Sequence, residues 1–335
     1  MKVAILSSVA WRTPPRKYGP WEQVASNIAE GMIEKGIDVT LFATSDSITK
    51  GKLEYICPKP YAEETSLDPK VWECLHISNM MEQADKFDLI HNNYDFLPLT
   101  YSRLIKTPMV TTIHGFSSTR ILPVYKKYNT TNNYVSISNS DRSPELDYIA
   151  TVYNGINTNE FTFRPESKDY LLFFGRIHPE KGTYESIQIA KKSGQRLIIS
   201  GLIQDQEYFD CNVKPFINDD DIVFVGNSGP RERDKLLGEA YALLHPISFE
   251  EPFGLSVVES MFCGTPVISF NKGSMPELIQ DKKTGFLVQN IDEAAEAVND
   301  IQYIERKYCR KWADSKFTRQ KMIEDYLKVY NNIIG

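Results

Sequence analysis

Short apolar runs recur along the chain with helical segments between them. They are VAILSS (3–8), DVTLFA (38–43), DLIHN (88–92), MVTTIH (109–114) and YVSIS (134–138), then YLLFFG (170–175), RLIIS (196–200), IVFVG (222–226), ALLHP (242–246) and PVISF (266–270). They are β-rich and lack polar alternation, as parallel strands covered on both faces do. Between the first two runs, PWEQVASNIAEGMIEKG sets Val24, Ile28 and Met32 at i, i+4 spacing and stops at Gly36. That predicts a crossover helix over 20–36 and a first βαβ unit. The runs lapse at 154–170, where Asn, Gly, Thr and Pro concentrate, and a strand restarts at Tyr170; two α/β sheets follow. The segment 312–333 carries Met322, Tyr326, Leu327 and Tyr330 on one face, which predicts a terminal helix with something to pack on. The expected domains are 1–155 and 156–311, followed by a C-terminal helical segment 312–335.

A chain of 335 residues suits two cores of about 150 residues each. With 38 Lys and Arg against 44 Asp and Glu, the formal charge is −6, which argues against a phosphate-coating nucleic-acid binder. Five cysteines (57, 74, 211, 263, 309) without a C-x-x-C pair signal neither a disulfide framework nor a zinc site and fit a reducing, cytoplasmic setting. The N-terminal apolar run is too short for a spanning helix and reads as a first strand, so membrane contact is expected to be peripheral at most. The fingerprints G-x-G-x-x-G after the first strand, G-x4-G-K-[ST], G-x-S-x-G and H-E-x-x-H are all missing. The run Asp219-Asp220-Asp221 precedes IVFVG in a polar turn and reads as surface rather than as a metal site.

Two stretches carry candidate chemistry. In HPISFEEPFGLSVVES (245–260), Glu251 and Glu259 interrupt an apolar run. Pro252 suits a first helical turn and Gly254 a close backbone approach, so a helix is predicted from there to Gly264. Eight residues of helix would set the carboxylates about 12 Å apart on a similar side, with an anion site at the helix N-terminus between them. Hydroxyls at both ends and a diphosphate in the middle describe a nucleotide sugar; alternatively both acids begin and decorate an exposed helix. In GRIHPEKG (175–182), Arg176 and Lys181 sit on a strand-to-helix loop at the carboxyl edge of a parallel sheet. They either neutralise a diphosphate or form a solvated basic turn.

Together, Gly175-Arg176 with Lys181-Gly182, the E-x7-E element from Glu251 to Glu259, CGTPVI (263–268) and GSMPE (273–277) resemble the nucleotide-sugar half of retaining glycosyltransferase family 4. Tyr18-Gly19, TIHG (112–115), SIS (136–138) and NGI (154–156) extend the likeness over most of the chain. The resemblance implies a GT-B fold, two Rossmann-like domains with parallel sheets facing across a cleft and a C-terminal helix packing back on the first. It implies a hexosyltransferase moving mannose or glucose from a nucleoside diphosphate sugar to a hydroxyl of a saccharide or other acceptor, without cofactor or metal. Arg176 and Lys181 would hold the diphosphate, Glu259 the ribose, and Glu251 the sugar hydroxyls, helped by amides of Phe253, Gly254 and Leu255. Gly175 and Gly19 would approach the donor, and His114 would reach the sugar.

Arg16, Tyr18, His91 and Asn92 are the acceptor-side candidates, His91 being as readily a packing residue. The pair Gly19-Pro20 departs from the Gly-Gly of many members, removing one N–H or supplying the first residue of the helix. His245 reads as core, His178 as exposed, and His76 has no context. Two other readings compete: a nucleotide-sugar 2-epimerase of related architecture, which would convert the donor without an acceptor, and a binding protein for a nucleotide sugar or glycan without turnover.

Overall fold

The computed structural model describes residues 1–116 and 118–335. The chain divides into two compact units, one formed by Met1–Gly155 with Arg319–Gly335 and the other by Ile156–Thr318.

In the first unit β1 (Lys2–Leu6), β2 (Asp38–Phe42), β3 (Lys52–Glu54), β4 (Leu89–Asn92), β5 (Met109–Ile113), β6 (Asn133–Ser136) and β7 (Tyr148–Thr151) form one sheet in the order 3-2-1-4-5-6-7. All of its pairings are parallel. The helices are α1 (Pro20–Glu34), α2 (Pro69–Met81) and α3 (Leu122–Tyr128). α1 begins with Pro20 in its first turn, where no amide is missed, and buries Val24, Ile28 and Met32. Its Gly31 lies against the C-terminal helix Arg319–Ile334; a Cβ there would stand 2.4 Å from Cγ1 of Ile323. That helix also buries Met322, Tyr326 and Tyr330.

The second unit holds β8 (Leu171–Phe174), β9 (Leu197–Ser200), β10 (Ile222–Gly226), β11 (Ala242–His245), β12 (Val267–Phe270) and β13 (Gly285–Val288), ordered 10-9-8-11-12-13. This sheet is also parallel throughout. Its main helices are α4 (Thr183–Ser193), α5 (Pro230–Glu239), α6 (Leu255–Phe262), α7 (Ile291–Asp300) and α8 (Arg306–Lys316).

Two expectations need correction. Residues 312–333 are not one helix: α8 ends at Lys316, because Phe317 turns inward, 1% exposed, and packs its ring edge-on against Phe253 and Trp312. The carbonyl of Phe317 then accepts from the Ile156 amide at 2.8 Å, so the break is tied down by backbone as well. The helix expected to begin at Pro252 begins at Leu255, since Gly254 in front of it is left-handed, with φ 92°. Among the described residues, no helix is long and apolar enough to cross a membrane.

Candidate active site

The carboxyl edge of the second sheet gathers most of the charged residues singled out above. After β8 the chain turns through 175–182, tied to the neighbouring strand by the Gly175 amide on the Ser200 carbonyl at 3.1 Å and the Ile177 amide on Leu202 at 2.8 Å. A short turn at Pro179–Lys181 follows, capped by His178, whose Nδ1 accepts from the Glu180 amide at 3.3 Å. Gly182 must be glycine: its φ is 77° and a Cβ would stand 2.1 Å from the Pro246 carbonyl oxygen. This close approach presses the basic loop onto the end of β11, where Ser248 donates its amide to the Glu180 carbonyl at 2.9 Å.

Lys181, thus placed, forms an ion pair with Oε2 of Glu251 and lies 4.6 Å from the centre of the Phe249 ring. Both charged side chains are largely buried, 14% and 12% exposed. Burial alone would raise the Glu251 pKa, but Lys181 and then His245 reverse it and hold the carboxyl down at about 2. The Glu251 backbone is fixed by the GSMPE segment: Ser274 donates its amide to the Glu251 carbonyl at 2.9 Å and its hydroxyl to the Phe253 carbonyl at 2.6 Å. Gly273 sits where a Cβ would fall 2.3 Å from the Glu251 nitrogen. Glu251 therefore projects from a clamped loop, and the picture of two carboxylates on one helix does not hold.

Glu259, within α6, faces Arg233 of α5, whose Nη1 is 3.2 Å from Oε1. Arg233 also reaches Glu160 at 3.4 Å and lies over the Phe161 ring. Burial keeps the Glu259 pKa above the ordinary carboxyl value, with Arg233 opposing and Glu160 adding to the rise. Arg176 turns to Gln204, accepting no part in the Lys181 pair, through a hydrogen bond from Nη1 to Oε1. The amide of Leu255 opens α6 after the left-handed Gly254, while Phe253 is committed to the core by its ring.

In the first unit, His114 follows β5 and is 9% exposed. Its Nε2 lies 3.0 Å from Oδ1 of Asn93, and its ring stacks on Trp21, centroids 6.0 Å apart. Burial lowers its pKa to about 3, so the ring is neutral at physiological pH. The loop before α1 is folded over Glu22, which is 2% exposed and accepts from the Trp11 amide at 3.3 Å. Gly19, at φ 149°, is wedged with its missing Cβ position 2.8 Å from Cβ of Pro15. Tyr18 meets Trp11 edge-on. Arg16 is engaged with Asp46 and Glu63 at the surface.

His91 and Asn92 are structural. His91 is fully buried, with Nδ1 2.6 Å from the Tyr330 hydroxyl and Nε2 2.7 Å from the Thr112 hydroxyl, which in turn lies 2.7 Å from the Tyr326 hydroxyl. The chain of contacts fastens the C-terminal helix to the sheet and leaves no ring nitrogen for a ligand. Asn92 spends its amide on the turn after β4, bonding Tyr94 N and Asp95 O, both at 2.9 Å. The partners Arg233, Trp21, Asn93 and Phe249 carry no sequence signal of their own, because they are set by contacts distant in the chain; Glu22 shows one, as an acid in a first helical turn.

Two Rossmann-like units, each a parallel sheet with its charged or polar residues at the carboxyl edge, define the GT-B class. Residues 157–319 match the family model "Glycosyl transferases group 1" and residues 21–160 match "Glycosyltransferase Family 4". The chain belongs to the GT4-like glycosyltransferases. An uncharacterised glycosyltransferase of Methanocaldococcus jannaschii is 24% identical over 90% of this chain and 89% of that protein. Among solved structures, a sucrose-phosphate synthase from Thermosynechococcus elongatus superposes with TM-score 0.82 at 17% identity, covering 99% of this chain and 98% of that one. Anabaena HepE in complex with UDP and glucose gives 0.76 at 19% identity over 99% of both chains. These two share the fold.

Proposed function

We propose that the chain is a retaining hexosyltransferase, moving mannose or glucose from a nucleoside diphosphate sugar to a hydroxyl of a saccharide or other acceptor. The observation that supports this most is the largely buried Lys181–Glu251 pair on the carboxyl edge of the second sheet, beside the N-terminus of α6. A cation and the amides of a helix N-terminus suit a diphosphate, and a carboxylate held ionised suits sugar hydroxyls. The HepE structure with UDP and glucose supports the same ligand class.

In this reading Lys181 and Arg176 bind the diphosphate and stabilise the charge that grows on it as the bond to the anomeric carbon breaks. Glu251, helped by the amide of Leu255, reads the hexose. Glu259, kept in place by Arg233, accepts from the ribose hydroxyls. The acceptor is assigned to the first unit. The acceptor oxygen arrives on the face that the diphosphate leaves, and its proton passes to the departing phosphate oxygen, so no side chain is assigned as general base. No step calls for a metal or cofactor. Five cysteines without a disulfide favour a reducing, cytoplasmic setting.

The test is release of free nucleoside diphosphate from UDP-, GDP- and ADP-hexoses in the presence of candidate acceptors. Lys181→Ala should cut turnover by about a hundredfold or more with an unchanged far-UV spectrum. Turnover at the wild-type rate in that variant would contradict the reading.

A further inference from the structure

One buried polar atom in this region has no role in the scheme above. His245, the last residue of β11, is 5% exposed, and its Nε2 is buried with no hydrogen-bond partner among the described residues. A buried imidazole N–H left unpaired is costly, and such an atom in a native fold calls for an explanation. Oε2 of Glu251 lies 3.6 Å from Nε2, just beyond hydrogen-bonding distance. The same oxygen is held by Lys181. Beside a carboxylate the tautomer with the proton on Nε2 is the favoured one, so the ring aims a donor at Oε2.

The arrangement leaves Lys181 with two claims on it. Its ammonium compensates Glu251; with a nucleotide sugar bound it also faces the diphosphate. As its charge is drawn to the incoming anion, Glu251 remains buried beside that anion with less to hold it ionised or in place. We propose that His245 is the positioning residue for Glu251. Its Nε2–H closes the last fraction of an ångström onto Oε2 as Lys181 turns to the diphosphate, and Oε1 stays directed at the hexose hydroxyls. The exchange needs no backbone movement, because the Gly182–Pro246 contact and the Ser274 hydrogen bond fix both loops.

This inference rests on the donor reading of the site, and the experiment separates the two. UDP, GDP, ADP and their glucose and mannose derivatives are titrated calorimetrically into the full chain, and the binding nucleotide is carried forward. His245→Phe keeps the ring volume without the donor, whereas His245→Gln returns an N–H near the Nε2 position. In His245→Phe, kcat/KM for the matching nucleotide sugar should fall about tenfold to a hundredfold, while the Kd of the free nucleoside diphosphate changes less than about twofold. His245→Gln should recover most of the loss. Equal losses for diphosphate and nucleotide sugar, an unaltered kcat/KM in His245→Phe, or no recovery in His245→Gln would each overturn the proposal. If the wild-type chain bound none of these nucleotides, the donor reading itself would fall, and the role of His245 with it.

Discussion

Glu22 shows how a single side chain can carry a pH dependence that packing alone would not suggest. It is buried at the start of α1, accepts from the Trp11 amide and, among the described residues, has no cation against it, and burial raises its pKa from 4.5 to about 7. A carboxyl whose folded pKa lies above its unfolded value contributes stability that is complete below about pH 4.5 and is lost as the pH rises through about 7. Glu22→Gln should therefore melt above the wild type at pH 8, by up to about 3 kcal/mol in unfolding free energy, and the difference should shrink toward pH 4.5. Thermal melts at several pH values check this; a difference independent of pH would contradict it. Glu251 is the opposite case, since Lys181 holds it ionised at the cost of a nearly buried pair. The two acids look alike in the sequence, and only their neighbours separate them.

At the scale of elements, the strands legible in the chain were those with an uninterrupted apolar run. The three that were not, β3, β7 and β13, are all sheet edges. β3 reads KLE with no fully buried residue, and β7 is likewise half-exposed, so neither shows the pattern that burial on two faces imposes. The break at Phe317 escaped detection for a different reason: its cause is the distant Phe253 ring, not local propensity. The packing of the C-terminal helix on α1 is sharper than its apolar face suggests. Gly31 admits Ile323 at a distance that no side chain would allow, so Gly31→Ala should destabilise the first unit by about 1–3 kcal/mol through overpacking. A chemical denaturation midpoint equal to wild type would show that the helix is looser than this.

For the molecule as a whole, composition and alternation of strands and helices sufficed for two parallel-sheet units, and the resemblance of short motifs sufficed for the family. The site was legible in part. Lys181 was singled out on a strand-to-helix loop and Glu251 as an acid interrupting an apolar run, but their pairing was not, since it depends on Gly182 bringing the loop after β8 against β11. Glu259 was visible while its partner Arg233 was not. His91 carried a motif-like position and proved to be a fastening between sheet and C-terminal helix.

The central claim is that the second unit holds a nucleoside diphosphate sugar. It is tested most directly by thermal unfolding of the full chain against UDP, GDP, ADP and their hexose derivatives, each well above its expected dissociation constant. The account predicts marked stabilisation by one base only, about 2.7 kcal/mol at a hundredfold excess over Kd, with the nucleotide sugar at least matching the diphosphate. A melting temperature unmoved by every member of the panel would contradict it.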